Sequence, residues 1–486
     1  RQTRQQRNRG NGRRIANASK QIIMTLIKSI SGIRGTIGGA VDQGLTPIDA
    51  VKFAAAYGTW LQQQYPGQRL KVVIGRDARI SGPMIAALVQ QTLVGLGIDI
   101  IDLGLSTTPT VEVAVPLEGA QGGIILTASH NPKQWNALKL LNAKGEFISG
   151  AEGEALMRIA ADEAFSFAEV DDLGTITPNN TYLDKHIQAI LDLPLVDKAA
   201  IAAAQFKVVV DAVNSTGGTF VPALLRALGV SEVTELYCEP TGHFPHNPEP
   251  LPEHLTELSA LVVKENAHLG ITVDPDVDRL ALVCEDGSMF GEEYTLVAVA
   301  DYVLTHTPGP TVSNLSSTRA LRDITESRGL RYEAAAVGEV NVVVKMKEIG
   351  AVIGGEGNGG IIYPELHYGR DSLVGIALFL SHLAHQKCSL TALRASYPNY
   401  VISKNKIDLS PTTNVDDILV QMAKKYEAQE VDTTDGVKIY IDKEWVHLRK
   451  SNTEPIIRIY AESKDEKAAN DLALRIMAEI EALTTK

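Results

Sequence analysis

The sequence predicts an α/β protein made of three similar α/β domains with mixed sheets and one smaller C-terminal α+β domain. The chain has 486 residues, enough for about three or four domains at roughly 150 residues each. Short apolar runs alternate with helical patterns along most of the chain, which is typical of βαβ units. Near residue 399 the pattern changes to closely spaced strands, which indicates an antiparallel sheet.

The first domain is predicted over residues 24–180. LKVVIG (70–75) forms a strand, a helical pattern follows, and IDIIDLG forms the next strand. This order is that of a βαβ unit, whose crossover helix covers a parallel sheet. A further strand, 119–127, leads into a tight turn, and TPNNTY is interpreted as the linker that ends the domain.

The second and third domains, predicted over 181–288 and 289–398, repeat this alternation. The predicted elements of the second are a helix over 181–204, a strand with a glycine-rich loop over 206–218, and a strand–acidic loop–strand over 269–287. Those of the third are a helix over 292–305, a strand over 310–315, a glycine loop within 351–363 and a helix over 372–386. Two more βαβ-type units are therefore expected.

The fourth domain is predicted over 399–486. A helix over 414–428 is followed by three strands, KIYID, EWVHLRKS and IIRIYAES, and by a terminal helix over 464–483. Strands joined by short turns pair antiparallel, with the helices packed on one face. This part of the chain is expected to be α+β.

Composition excludes several classes of protein. Hydrophobic residues make up 44% and charged residues 21%, as in ordinary globular proteins. No apolar run approaches the ~20 residues that a membrane helix needs. The three cysteines are scattered and give neither a disulfide framework nor a zinc ligand set. We therefore expect a cytoplasmic protein, a monomer or homodimer, with no membrane partner.

Charge is distributed unevenly. The formal net charge is −12, yet residues 1–23 hold seven Arg or Lys and no acid. This segment has almost no apolar content, so a disordered basic extension is expected. It could be an arm for nucleic acid or a targeting peptide, but the simpler interpretation is an extension upstream of a protein that starts at Met24. The acidic remainder and an aromatic content of 5% argue against a nucleic-acid partner.

Four loops could carry chemistry, and each follows a predicted strand, where open α/β sheets place their ligands. The first is Thr-Ala-Ser-His-Asn-Pro, 127–132. Ser129 on such a tight turn is exposed and held, which suits a nucleophile. A structural turn serine is the common alternative.

The second loop carries the alternating carboxylates Asp274, Asp276 and Asp278, followed by Arg279. Such oxygens can converge on one hard cation, and crowded carboxylates repel unless something positive lies among them. An EF-hand is rejected because Arg279 stands where that loop needs glycine. The alternatives are a Mg²⁺ site that leaves room for a phosphate oxygen and a solvated acidic turn.

The third loop, GGEGNGG (354–360), contains a literal Gly-x-Gly-x-x-Gly. The segment after it looks like a strand and contains Pro364, so no helix N-terminus is available for a dinucleotide pyrophosphate. Glu356 and Asn358 on such a loop suit sugar hydroxyls. A plain structural turn is the alternative.

The fourth loop runs from Arg449 to Pro455, with Arg458 three residues beyond. It offers hydroxyls and backbone amides between two guanidinium groups, and Arg forks bind phosphate bidentately. The candidate phosphate-binding residues are Arg449, Ser451, Asn452, Thr453 and Arg458. A solvated charged turn is the alternative.

Taken together and in this order, the loops resemble those of the α-D-phosphohexomutase superfamily, over roughly residues 24–486. The resemblance rests on SGIRGT, GRDARISG, TASHNP followed by NALK, DPDVDR, GGEGNGG and RKSNTEPIIR. It implies four domains around a central cleft and an enzyme that moves a phosphoryl group between O1 and O6 of a hexose phosphate. A 1,6-bisphosphate is then both intermediate and activator.

The resemblance also implies residue roles. Ser129 carries the phosphoryl group, and Asp274, Asp276 and Asp278 hold Mg²⁺ against it. Arg34 and Lys139 match basic residues near the reacting oxygens and are candidates for proton transfer or for stabilising transition-state charge. His130 orients the serine, and Arg279 contacts its phosphate. Glu356 holds sugar hydroxyls, and the fourth loop clamps the phosphate that is not reacting.

Two positions depart from the common pattern: Asn358 stands where many members have Ser, and Glu339 where some have His. Both belong to sugar-facing loops, so they bear on substrate choice. GEGNGG favours glucosamine 6-phosphate converted to glucosamine 1-phosphate, with a glucose or mannose phosphate mutase as alternative. A sugar-phosphate phosphatase and a non-catalytic sugar-phosphate binder also remain open.

Overall fold

The computed structural model describes residues 24–29, 32–452 and 454–485. The predicted basic extension (1–23) and the predicted phosphate-binding residue Thr453 lie outside this range. No helix in the described part of the chain is both long enough and apolar enough to span a bilayer.

The first domain is built on a seven-stranded mixed sheet of order β1-β2-β6-β5-β3-β4-β7. Its elements are β1 (Ile27–Ser29), β2 (Gly32–Thr36), α1 (Pro47–Gln64), β3 (Lys71–Arg76), α2 (Gly82–Gly95), β4 (Asp99–Leu105), α3 (Thr108–Leu117), β5 (Gly122–Leu126), β6 (Trp135–Leu141), α4 (Gly150–Asp162) and β7 (Ile176–Pro178). β3 pairs parallel with β4 and β5, and β5 pairs antiparallel with β6. The predicted linker is partly wrong, because β7 pairs with β4 at the sheet edge. A strand of three residues that ends in proline is too short to show the sequence pattern that predicts a strand.

The second domain has a four-stranded sheet of order β11-β10-β8-β9. Its elements are α5 (Tyr182–Leu191), α6 (Lys198–Ala203), β8 (Lys207–Asp211), α7 (Gly217–Ala227), β9 (Glu232–Leu236), α8 (Thr256–Lys264), β10 (Leu269–Val273) and β11 (Leu280–Cys284). The single helix predicted over 181–204 is wrong. Pro194 lies in the break between two helices, and Asp197 caps the second by accepting from the Ala200 N–H at 3.0 Å.

The third domain has the same arrangement, with strand order β13-β12-β14-β15. Its elements are α9 (Glu292–His306), β12 (Thr311–Asn314), α10 (Ala320–Glu326), β13 (Tyr332–Ala335), α11 (Glu339–Ile349), β14 (Ile353–Glu356), β15 (Gly360–Ile362), α12 (Ser372–Gln386) and α13 (Leu390–Ala395). In both sheets three strands are parallel and the last is antiparallel. The buried strands are apolar on both faces because helices cover both sides of such sheets.

The fourth domain is a five-stranded antiparallel sheet of order β16-β20-β19-β18-β17. Its elements are β16 (Val401–Asp408), α14 (Val415–Lys425), β17 (Glu430–Asp432), β18 (Val437–Ile441), β19 (Glu444–Lys450), β20 (Ile456–Ser463) and α15 (Glu466–Thr484). The predicted α+β class is confirmed. β16 and β17 were not predicted as strands, because their residues, of which only one is buried, show little apolar alternation.

The first three candidate loops are topologically equivalent. Each joins the last parallel strand of its sheet to the antiparallel strand beside it: β5 to β6, β10 to β11, and β14 to β15. The cores of the second and third domains form one continuous apolar cluster, to which α12 contributes Leu378 and Phe379. Packing of this kind fixes the second and third loops relative to each other.

The loop after β9 locks the second domain onto the first. Gly242 has φ of 78°, and a Cβ there would lie 1.9 Å from the Ala78 carbonyl oxygen, so only glycine fits. Farther along the loop, the Phe244 ring lies 5.3 Å from the Arg79 guanidinium carbon. His246 holds the loop through Nε2, which donates to Asp211 Oδ2 at 2.7 Å, and Nδ1, which donates to the Asn247 carbonyl at 2.8 Å.

This geometry predicts a pH-dependent contribution to stability. Burial alone lowers the pKa of His246, but the hydrogen bond and charge of Asp211 outweigh it, so the pKa is raised above 6.5. The contribution is complete below the unfolded pKa of about 6.5 and is lost as pH rises through the folded pKa. His246→Gln should cost about 1.5–3 kcal/mol in the acidic range and less at alkaline pH, measured by urea denaturation at several pH values.

His243→Gln, a change at an exposed histidine of the same loop, is the matched control. It should change stability little at any pH. An effect of His246→Gln that is constant across the pH range would contradict the assignment.

Candidate active site

The loops of the first three domains meet through direct hydrogen bonds between buried polar side chains. Ser129 Oγ donates to Asp274 Oδ2 at 2.7 Å. Lys139 Nζ on β6 lies 3.0 Å from Asp276 Oδ2, and Arg370 from the third domain donates to Asp278 Oδ2 at 2.7 Å. Side chains that lie 92 to 145 positions apart in sequence therefore share one site.

Ser129 stands on a strained turn. Its φ of 50° lies in the left-handed region that non-glycine residues seldom adopt. The prediction that Ser129 is exposed is wrong: only 3% of its surface is exposed, because the loops of the other domains pack against the turn. Its backbone N–H donates to Thr127 Oγ1 at 2.9 Å. Such a conformation persists only where surrounding contacts over-determine it.

Arg79 supplies those contacts. Its fully buried guanidinium donates to the backbone carbonyls of four residues of the turn, Ser129, Asn131, Pro132 and Trp135. Asp77 accepts from Arg79 Nε at 3.1 Å and from Thr127 Oγ1 at 2.5 Å. Both residues belong to the GRDARISG segment, but the sequence predicts no role for either, because they hold backbone atoms and leave no pattern of side chains.

The three aspartates of the second loop are fully buried and converge. One oxygen from each lies within 4.8 Å of the others. Asp276 Oδ2 also accepts from Thr108 Oγ1 at 2.6 Å. Oδ1 of Asp276 and Oδ1 of Asp278 are buried and have no hydrogen-bond partner in the described part of the chain. Orphaned buried oxygens of this kind fit a hard cation, so the residues present match a divalent metal.

The pKa values reflect this crowding. Burial, followed by the charges of Asp276 and Asp278, raises the pKa of Asp274 well above its usual value. Burial also favours the neutral form of Asp276, but the charge of Lys139 together with hydrogen bonds from Asp274, Thr108 and Lys139 outweighs it, so the pKa of Asp276 is lowered. The pKa of Lys139 is raised, since the two nearest aspartates outweigh its burial. The loop is thus an anion cluster that takes up a proton or a cation.

Arg34 and His130 flank the serine. Arg34 on β2 donates to Asn131 Oδ1 at 2.8 Å, next to the turn. Burial, and then the charges of Arg279 and Arg34, lower the pKa of His130 to about 2, so its imidazole is neutral at neutral pH. Its Nδ1 is buried without a hydrogen-bond partner among the described residues.

The third loop is tied to the second by Arg370, which sequence analysis missed. Glu356, only 4% exposed, accepts from Arg370 Nη1 at 3.0 Å and from Asn314 Nδ2 at 2.9 Å. The same guanidinium reaches Asp278, and its Nε lies 3.3 Å from Glu339 Oε1. One arginine therefore neutralises carboxylates from three segments. Only the fold could reveal it, because Arg370 lies beyond the glycine loop in no recognisable motif.

Asn358 and Arg279 occupy turn positions. Asn358 Oδ1 accepts from the Gly360 N–H at 3.2 Å, which closes the glycine turn. The Arg279 backbone N–H donates to Asp274 Oδ1 at 3.1 Å, while its buried Nε has no hydrogen-bond partner in the described part of the chain.

The fourth loop lies on β19 and β20, where Arg449 and Arg458 face each other in register. Arg449 Nε lies 3.1 Å from Asp435 Oδ2, which accepts from the Val337 N–H of the third domain at 2.9 Å. Ser451 Oγ accepts from the Glu454 N–H at 3.3 Å, whereas Asn452 and Arg458 are exposed. The two guanidinium groups and the exposed amide are thus brought to one end of the sheet.

Arg370 should contribute strongly to stability. Arg370→Met leaves Asp278, Glu339 and Glu356 buried without their cation, and breaking a buried pair costs about 3–5 kcal/mol. Arg370→Lys should lose less stability. The ammonium group keeps the positive charge but cannot donate to two carboxylates at once in the way that the guanidinium does. Urea denaturation measures both losses.

Arg226→Met is the matched control, since that exposed arginine pairs with Glu235 at 3.4 Å and should cost no more than about 1 kcal/mol. If Arg370→Met were no more destabilising than this control, Arg370 would not hold the two loops together.

Comparison with known protein families gives four matches in chain order. The models described as phosphoglucomutase/phosphomannomutase alpha/beta/alpha domains I, II and III match residues 26–167, 181–287 and 291–400. The C-terminal domain model of the same family matches residues 406–479. Most of the chain is covered.

Known proteins and solved structures agree. A "Phosphoglucomutase/phosphomannomutase" of Thermococcus kodakarensis is 34% identical over 454 residues, which cover 92% of this chain and 98% of the relative. A "Probable phosphoglucosamine mutase" of Methanopyrus kandleri is 32% identical over 445 residues, 91% of this chain and 95% of the relative. A phosphoglucomutase/phosphomannomutase family protein of Burkholderia thailandensis is 27% identical with a TM-score of 0.80, covering 94% of this chain and 97% of that structure.

These matches confirm the expected α-D-phosphohexomutase resemblance and the four-domain α/β fold. They also establish an enzyme, an isomerase that transfers phosphoryl groups. The chain belongs to the phosphoglucomutase/phosphomannomutase family.

Proposed function

We propose that this enzyme moves a phosphoryl group between O6 and O1 of a hexose phosphate by way of phosphoserine at Ser129 and a 1,6-bisphosphate intermediate. One observation carries the proposal: Ser129 Oγ lies 2.7 Å from Asp274 Oδ2, inside a converging triad of buried carboxylates. A hydroxyl fixed beside a cation site is what reversible phosphoryl storage requires.

Mg²⁺ is the cation that we assign to this triad, with Asp274, Asp276 and Asp278 as its protein ligands. The orphaned Oδ1 atoms of Asp276 and Asp278 support the assignment, as does the absence of sulfur and nitrogen donors from the set. The bound ion would neutralise charge on the phosphoryl oxygens.

The chain's own residues then position the reaction. Arg79 fixes the turn, so that the phosphorus on Ser129 Oγ stays in line with the attacking sugar hydroxyl. When the bond from phosphorus to the sugar oxygen forms, the bond to Ser129 Oγ breaks and the serine oxygen takes the proton that the hydroxyl loses. Arg34 and Lys139 supply positive charge beside the reacting oxygens, and neutral His130 orients the serine.

The bisphosphate must turn over in the site, so that O1 faces Ser129 where O6 stood before. A clamp for the distant phosphate makes this productive, and we assign it to the fourth loop, with Arg449, Ser451, Asn452, Thr453 and Arg458. Guanidinium forks hold phosphate without reading the sugar. A clamp of this kind favours a mutase over a phosphatase.

Glucosamine 6-phosphate is the substrate that we propose, with glucosamine 1-phosphate as product. Support comes from the GEGNGG loop and from two relatives. That of Methanopyrus kandleri is named "Probable phosphoglucosamine mutase", and that of Sulfurisphaera tokodaii is named "Phosphoglucosamine/phosphogalactosamine mutase". The Thermococcus kodakarensis relative, named phosphoglucomutase/phosphomannomutase, favours glucose and mannose phosphates as the second candidate. Glu356 and Asn358 are the side chains assigned to the sugar hydroxyls.

Phosphorylation of Ser129 tests the mechanism. Purified active enzyme should carry phosphate on Ser129 in part of the molecules, found by intact mass and peptide mapping. The unphosphorylated fraction should require a hexose 1,6-bisphosphate as activator. Ser129→Ala should abolish mutase activity and binding of the phosphoryl group together. Active enzyme whose phosphate lies only on another residue would refute the mechanism.

Arg449 and Glu356 should affect different steps. Arg449→Ala removes one charge-assisted partner, worth about 1.5–3 kcal/mol, so kcat/KM should fall roughly ten- to a hundredfold for every accepted sugar phosphate. The ratios between glucosamine, glucose and mannose 1-phosphates should stay nearly unchanged. Glu356→Gln should change those ratios.

A coupled assay for isomerised product and a second assay for free phosphate measure both variants and distinguish a phosphatase. Lys467→Ala, a change at an exposed cation on α15 of the same domain, is the matched control for Arg449. A changed sugar preference in Arg449→Ala would assign that residue to sugar recognition instead.

A further inference from the structure

A second cluster of metal-ligating side chains lies outside the aspartate triad. His186 Nε2 and His367 Nε2 each lie 2.9 Å from Asp371 Oδ2, and the three ligand atoms fall within 4.8 Å of one another. His186 and Asp371 are fully buried, and His367 is nearly so. His186 belongs to α5, whereas Asp371 caps α12 by accepting from the Leu373 and Val374 N–H groups through Oδ1. Oδ2 is therefore free of the cap and faces the two imidazoles.

In both imidazoles, the ring nitrogen that does not face Asp371 has a polar oxygen near it. His186 Nδ1 lies 2.8 Å from Thr110 Oγ1. His367 Nδ1 faces Glu112 Oε2 at 3.9 Å. An acceptor behind the remote nitrogen of a histidine is the usual outer-shell arrangement of metal-bound imidazoles, because it holds the proton there and leaves the other nitrogen a lone pair.

The environment of Glu112 independently indicates that this cluster needs a compensating cation. It is 1% exposed, and neither of its carboxylate oxygens has a hydrogen-bond partner in the described part of the chain. A buried carboxylate without a partner is costly. If His367 binds a cation through Nε2, its Nδ1–H becomes a stronger donor toward Glu112, so the ion would also compensate this carboxylate.

We propose that His186 Nε2, His367 Nε2 and Asp371 Oδ2 bind one divalent transition-metal ion of the Zn²⁺ class, with Thr110 and Glu112 behind the two histidines. Two imidazoles and one carboxylate suit zinc or cobalt and not magnesium, which prefers oxygen ligands. A tetrahedral ion with bonds of about 2.0–2.2 Å separates its ligand atoms by roughly 3.3–3.5 Å. Each imidazole nitrogen, now 2.9 Å from Asp371 Oδ2, therefore needs to move away from that oxygen by only about half an ångström.

The ion would join three domains. Thr110 and Glu112 lie on α3 of the first, His186 on α5 of the second, and His367 and Asp371 precede α12 of the third. The next residue, Ser372, donates its N–H to the Val277 carbonyl of the aspartate loop at 3.1 Å. We therefore assign the ion a structural role. It holds Arg370 in place, together with the loop that carries the aspartate triad. This role does not depend on which sugar phosphate the enzyme uses.

The experiment uses the full chain, stripped with chelator and then titrated with Zn²⁺, with bound metal counted after desalting. Asp276→Asn is included to weaken the aspartate site, so that zinc held there is distinguished. We expect about one equivalent of zinc that persists in Asp276→Asn and raises the melting temperature by several degrees. His367→Gln and His186→Gln should each lose that equivalent and the zinc-dependent rise. His243→Gln, at an exposed histidine, should keep both.

Co²⁺ supplies a second readout, because its visible spectrum reports ligand type. A tetrahedral spectrum in the wild type that disappears in His367→Gln supports the site, even if His186→Gln fails to fold. Zinc that binds equally to wild type and His367→Gln, or no zinc beyond the equivalent lost in Asp276→Asn, overturns the proposal. In that case the two histidines are hydrogen-bond donors to Asp371 and nothing more.

Discussion

Compensation of buried carboxylates is the constraint on which the rest of this structure depends. Asp274, Asp276, Asp278 and Glu356 lie almost entirely out of water, and an isolated buried charge is too costly to persist. Their partners come from elsewhere: Lys139 from the first domain and Arg370 from the third. The domains are thus held in register by the same charges that make the site reactive.

The repeated topology explains how one site can draw on three domains. In each of the first three sheets the chain leaves a parallel strand, makes a loop and returns antiparallel. The three equivalent loops contribute a hydroxyl, a carboxylate triad and a glycine turn with one glutamate. The same scaffold thereby supplies three different functions, because loop residues can change without disturbing the strands that carry them.

Rigidity is concentrated around Ser129. The left-handed conformation at that residue is maintained by a buried arginine whose donors are all used on backbone carbonyls and Asp77. By contrast, the fourth domain presents Arg458 and Asn452 to solvent. A rigidly held Ser129 and a more open surface on the fourth domain suit the proposed mechanism, in which an intermediate must turn over between two half-reactions.

The fold class, the order of the four domains and the candidate residues of the loops could all be predicted from the amino-acid sequence alone. Alternating apolar strands and helical patterns predict βαβ units because burial dictates periodicity, and the Asp-x-Asp-x-Asp spacing is local enough to be recognised. The short edge strand β7 was not predicted, because it depends on pairing with a neighbouring strand. The break between α5 and α6 was not predicted either, because a single proline causes it.

Which side chains contact one another could not be predicted and depends on how the chain folds in three dimensions. Arg79 donates to backbone carbonyls, and Arg370 pairs with carboxylates from three segments. His186, His367 and Asp371 lie close together although they belong to separate helices and loops. No spacing of residues in the sequence predicts these contacts. They form because a buried charge needs a partner close to it in space, and that partner can lie anywhere along the chain.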